Sequence, residues 1–148
     1  MNLAKRIEQD FVAAYKNKEE LKLAVLRLLK TAIKNHQVEL RRELDEGEVL
    51  DIVTKQAKQR QESITQYEQA GRQDLAEVEA KELVLLKEYL PQQLTPEETE
   101  ALVEETISAL GAEGMKDMGR VMQAITADYK GRVDGKALSS LVRARLSA

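Results

Sequence analysis

Apolar residues recur every three or four positions along this chain, and nowhere do they alternate in twos. Leu3, Ile7, Phe11 and Ala14 or Tyr15 share one face of a helix expected over residues 2–16. Leu26, Leu29, Ile33, His36, Leu40 and Leu44 mark a second, from near residue 18 to about residue 43. Asp45-Glu46-Gly47 interrupts the pattern. A third helix is expected over residues 48–70, with Val49, Val53, Ala57, Arg60, Ile64 and Tyr67 on one face. Gly71 suits the left-handed residue that closes a helix. Asp74 is the expected N-cap of a fourth helix, with Leu75, Val78, Glu82, Leu85 and Tyr89 inward, stopping before Pro91. Connections this short favour antiparallel neighbours, as in a hairpin or bundle.

Residues 91–95 read as a joint, because proline lacks an amide proton and restricts the residue before it. Thr95-Pro96-Glu97-Glu98 restarts the helix: Thr95 caps, Pro96 suits the first position and Glu98 completes a capping box. A fifth helix follows to about Leu110, with Val103, Ile107 and Leu110 inward, and Gly111 and Gly114 mark a loop. A sixth is expected over residues 118–129 on Met118, Val121 or Met122, Ile125 and Tyr129. Residues 130–135 form a turn, with Asp134 capping a last helix on Leu138, Leu141 or Val142, and Leu146. The expected fold is all-α: an N-terminal helical unit over residues 1–92 and a small three-helix unit over residues 93–148. The second core is small enough to be marginal alone.

Composition narrows the chemistry. Charged residues make up 33% and aromatics 3%, with no cysteine, which excludes disulfides, thiolate metal sites and cysteine nucleophiles. No run approaches the length of a membrane span, and no apolar run follows a basic stretch at the start, so a secretory signal is not expected. A cytoplasmic protein without membrane contact is the expectation. His36 is the sole histidine, and residues 44–48 lack the alternating oxygen ligands of a calcium loop, so neither a metal nor a cofactor is expected. Charge is segregated late in the chain. Residues 93–114 hold six acids and no base, a formal −6; residues 115–148 hold seven bases against three acids, a formal +4. Those bases (Lys116, Arg120, Lys130, Arg132, Lys136, Arg143 and Arg145) are the candidate nucleic-acid contacts, gripping a folded RNA by shape and phosphates. Arg120 falls at a helix start, where amide protons favour an anion. The bland alternative is that they balance the acidic fifth helix.

A wider set of residues resembles a known family. Lys58-Gln59-Arg60, Ser63, Tyr67, Ala70-Gly71-Arg72, Asp74-Leu75, Glu79, Glu82, Tyr89-Leu90-Pro91 and Gln93-Leu94 resemble the YqeY-like proteins. So do Met118-Gly119, Val121-Met122, Lys130-Gly131 and Asp134-Gly135. The second unit is similar to the tail domain of the B subunit of bacterial tRNA-dependent amidotransferase, which contacts the elbow of tRNA. The resemblance implies a relative of a tRNA-recognition module, with tRNA as the candidate partner. The chain itself lacks an amidase-like serine site and a glycine-rich phosphate loop, so no catalytic residue is assigned and catalysis by this chain alone is not expected. Two other readings remain open. One is an adaptor docking on an aminoacyl-tRNA synthetase or amidotransferase; the other is an accessory component of a glutamine-dependent carbon–nitrogen ligase. The residues do not specify an oligomeric state.

Four further features are informative. Arg60 and Glu82 fall on apolar stripes, so an ion pair joining helices three and four is expected, with Glu79 sharing Arg60. The competing reading of Glu79 and Glu82 as an acid–base pair is poorer, since residues three apart share one face rather than oppose across a cleft. Tyr67 and Tyr89 are expected in the core with bonded hydroxyls, and two of Met115, Met118 and Met122 likewise in the core. Gly119 is expected to permit close approach, by another helix or by a nucleic-acid backbone.

Overall fold

The computed structural model describes residues 2–148, which form seven α-helices and a short 3-10 turn, with no strand among the described residues. The helices are α1 (Leu3–Lys16), α2 (Glu20–Leu40), α3 (Glu46–Gln69), α4 (Gln73–Lys87), α5 (Pro96–Leu110), α6 (Met118–Asp128) and α7 (Gly135–Leu146). The chain is all-α, as the periodicity predicts. Its contacts divide it into two compact units, the second being Pro91–Ala148.

In the first unit, α1 pairs with α2 and α3 with α4. One core cluster joins Leu3, Ile7 and Ala14 to Val25, Leu26, Leu29 and Ile33, and takes Val49, Val53, Leu86 and Tyr89 from α3 and the end of α4. A second cluster of Ala57, Ile64, Ala76 and Leu83 zips the α3–α4 hairpin. The Tyr89 hydroxyl donates to Asp10 at 2.6 Å, and the Arg6 guanidinium lies 4.6 Å above its ring. Tyr15, offered as an alternative to Ala14 on the buried face, is exposed.

Helix ends differ from the periodic reading where backbone chemistry overrides it. Lys18 and Arg41 are left-handed (φ 56° each), so α2 starts at Glu20 and stops at Leu40 rather than spanning residues 18–43. Leu40 is exposed and His36 only half-buried beside Glu39. Glu46 and Gly47 belong to α3 instead of breaking the chain: Asp45 and Glu48 form a capping box, and the Glu46 carboxylate accepts from the Leu3 amide at 2.9 Å. Asp74 is not the N-cap of α4; that position is Arg72, whose guanidinium pairs with Asp74 in the first turn. The inward face of α4 is also rotated. Ala76, Leu83 and Leu86 are buried while Val78 is exposed. On a 100° helical step, Glu79 lies at the centre of that face, facing Arg60. Gly71 closes the hairpin in the left-handed region (φ 72°).

The second unit packs α5, α6 and α7 around Val103, Val121, Ile125, Leu138, Val142 and Leu146. Thr95 and Glu98 form the capping box, with Pro96 in the first turn, and Gly111 ends α5 at φ 62°. Residues 92–94 are strapped to the α6–α7 turn. The Leu94 amide donates to the Arg132 carbonyl and Arg132 Nε to the Gln92 carbonyl, both at 2.9 Å, and the Gln93 side chain donates to the Gly131 carbonyl.

Candidate nucleic-acid interface

The seven bases of residues 115–148 differ in what they touch. Three arginines are engaged within the second unit. Arg120 reaches back to the Leu110 carbonyl and the Asp117 carboxylate, each at 3.2 Å, and so ties the start of α6 to the end of α5. The anion at the start of α6 is therefore the chain's own Asp117. Its pKa is lowered chiefly because it accepts the Glu113 amide, and Arg120 adds to the effect. Arg132 lies 5.4 Å from the Tyr129 ring centroid and bonds the joint; its charge also helps the Thr95 amide hold Glu98 in the ionised form. Arg145 pairs with Glu104 across α5 and α7, but both side chains are over half exposed (55% and 56%). A pair so wet contributes at most about 1 kcal/mol and yields readily to a stronger anion.

The others are placed differently. Lys116 is exposed in the 3-10 turn Met115–Asp117, and Lys130 in the turn after α6. Lys136 and Arg143 stand seven residues apart on α7, with Ser140 between them; all three are exposed on one face of the helix. Gly119 is exposed in the first turn of α6, and a Cβ added there would meet nothing within 4 Å. Close packing by another helix, one of the expectations for it, is therefore absent.

Arg60 comes together with Glu79 and Glu82. It is 8% exposed and is the buried charged residue among the described residues. Its Nη1 lies 3.3 Å from Glu79 and contacts Glu82 as well, while its Nε is left without a partner. Both carboxylates approach one guanidinium from one helix, a geometry that binds the hairpin and offers no opposed acid and base.

Comparison with known proteins adds the family. The sequence profile of the "Yqey-like protein" family matches residues 4–146. The chain belongs to the YqeY-like family. Its relatives include "Altered inheritance of mitochondria protein 41, mitochondrial" of Lachancea thermotolerans, 33% identical over 147 residues, which cover 99% of this chain and 74% of the relative. The protein of the same name in Saccharomyces cerevisiae strain YJM789 is 26% identical over 133 residues, covering 89% and 70%. That of Kluyveromyces lactis is 32% identical over 84 residues, covering 56% and 45%.

The YqeY-like chain has a second basic feature, outside the residues singled out from its sequence. Residues 21–38 contain Lys22, Arg27, Lys30 and Lys34 and no acid. All four lie on α2, and three of them line a groove against α1. A charge count restricted to the last third passes over this run, although an acid-free stretch of eighteen residues in an acidic protein is itself a signal.

Proposed function

We propose that the second unit is a non-catalytic module that binds RNA of the tRNA class through its phosphates. The observation that carries this reading is the α7 face of Lys136, Ser140 and Arg143. It is a solvent-facing pair of cations flanking Ser140, whose hydroxyl donates to the Lys136 carbonyl at 3.2 Å, and neither cation has an ion-pair partner among the described residues. Similarity of this unit to the amidotransferase tail supplies the RNA class. Lys116, Lys130 and the weakly paired Arg145 extend the contact set. Arg120 and Arg132 act instead as tethers within the fold. The setting we propose is the cytoplasm, while the names of the yeast relatives place those proteins in mitochondria.

Fluorescence polarisation with total tRNA at two salt concentrations tests the reading. Binding should weaken steeply, by about tenfold or more, between roughly 50 and 200 mM salt through counterion release. The triple variant K116A/K136A/R143A should lose most of it, whereas R120A should lower thermal stability before it lowers affinity. Absence of binding at low salt overturns the proposal.

A second reading rests on a groove of about 390 Å³ between α5 and α7, rimmed by Glu97, Glu100 and the Glu104–Arg145 pair and floored by Val103 and Leu141. It suits a basic protein segment, as an adaptor docking on a synthetase or amidotransferase would require. Apolar docking responds weakly to salt, so the same titration separates the two.

A further inference from the structure

We propose that the first unit carries a second phosphate-binding surface, the row Arg27, Thr31 and Lys34 on α2; the proposal rests on the RNA-binding reading above. Residues 27, 31 and 34 are spaced i, i+4, i+7, which puts them on one face of α2, and all three are exposed. Arg27 and Lys34 are about 10 Å apart along the axis at 1.5 Å per residue. Neither has an ion-pair partner among the described residues.

Lys30 flanks the row but has another role. Its ammonium lies 3.9 Å from the centroid of the Phe11 ring and 3.1 Å from the Glu8 carboxylate. Glu8 is the acid lining this groove, and Lys30 neutralises it. The charge left on the rim is therefore that of Arg27 and Lys34.

Beneath the row runs a groove of about 510 Å³ between α1 and α2, floored by Ala4, Ile7, Phe11 and Ile33. Long basic side chains lying beside apolar surface keep their charged heads in water with less freedom to lose on binding. A polyanion uses such a row directly. A protein partner would want a broad apolar border, and the exposed Leu21 and Leu28 of α2 lie about 100° or more around the helix from Arg27. Val38, one turn beyond Lys34, is the large exposed apolar residue on the face itself.

The test uses the full chain and total tRNA, by fluorescence polarisation across a salt series. Circular dichroism of R27A/K34A should match the parent, since both side chains are exposed. That variant should bind about tenfold more weakly at low salt, and its log–log salt slope should fall by about 2, near 0.9 for each phosphate no longer neutralised. R27K/K34R should restore binding. K81A/K87A, which removes the same charge from exposed positions on α4, should stay within about twofold of the parent. If R27A/K34A behaves like K81A/K87A while K116A/K136A/R143A loses binding, the surface on α2 is overturned and the tail reading stands. If the parent chain binds no tRNA, both fall, and the groove is left to a protein partner.

Discussion

Arg60 is where a single side chain has most to lose. Its guanidinium is buried between α3 and α4 with Glu79 and Glu82, whose side chains are 25% and 17% exposed. Truncating the arginine leaves two half-buried carboxylates without their cation, whereas replacing all three groups by apolar ones removes the desolvation cost along with the attraction. R60A should therefore destabilise the first unit by about 3 kcal/mol, read as a lower urea midpoint. R60M/E79L/E82L should recover most of that loss, and tRNA affinity should not change. An unaltered midpoint in R60A would show that the ion pair contributes nothing.

Glu48 offers a pH-dependent counterpart. The Arg42 guanidinium, at 2.7 and 3.0 Å, and the Asp45 amide hold its pKa down to about 2 from an ordinary 4.5. A depressed carboxylate stabilises the fold above its unfolded pKa and stops doing so as pH falls through the folded one. The gap in urea midpoint between parent and E48Q should be full at pH 7 and close between about pH 4.5 and 2. A gap of constant size across that window would contradict the assignment.

At the scale of elements, two glycines with opposite backbone demands make a paired test. Gly111 ends α5 at φ 62°, where a Cβ is strained even with open space around it. Gly119 lies inside α6, has no positive φ, and has nothing within 4 Å of where a Cβ would stand. G111A should cost about 1 kcal/mol, while G119A should gain about 0.5–1 kcal/mol from helix propensity. Thermal melts would show the two moving in opposite directions. A loss of stability in G119A would mean that the first turn of α6 is more crowded than the structure shows.

For the whole molecule, each unit builds its core from its own helices. A cavity made in one core should then be felt by the helices that line it. Leu29, fully buried in the first unit, is the site to use. L29A should cost about 2–5 kcal/mol and speed amide hydrogen exchange in α1 to α4, leaving protection in α5 to α7 unchanged. Equal loss of protection in both units would show them to be one cooperative body. A chain of this kind should not be assigned one unfolding free energy until that result is known.

How much of this was legible beforehand depended on how local its cause was. The span of α5, the capping box at Thr95 and the left-handed closure at Gly71 follow from chemistry within a few residues, and each was readable in order. The bounds of α2 were not, because left-handed backbone at Lys18 and Arg41 leaves no periodic trace. The face of α4 was placed too far toward Val78, because Leu75, Val78 and Leu85 form an apolar stripe of their own, whereas burial falls on Ala76, Leu83 and Leu86 around Glu79, opposite Arg60. The basic tail was legible as a charge count but not as a surface. Which arginines are tethers depends on Asp117, Leu110, Gln92 and Glu104, all brought there by folding. By itself, then, the sequence determined the helical class, the caps at Thr95 and Asp134 and most of the amphipathic stripes, since propensity, capping and periodicity act over one or two turns. Tertiary structure alone decided how α4 is rotated, which cations remain available to a partner and where a groove opens beside α2, because these depend on pairings between residues distant along the chain.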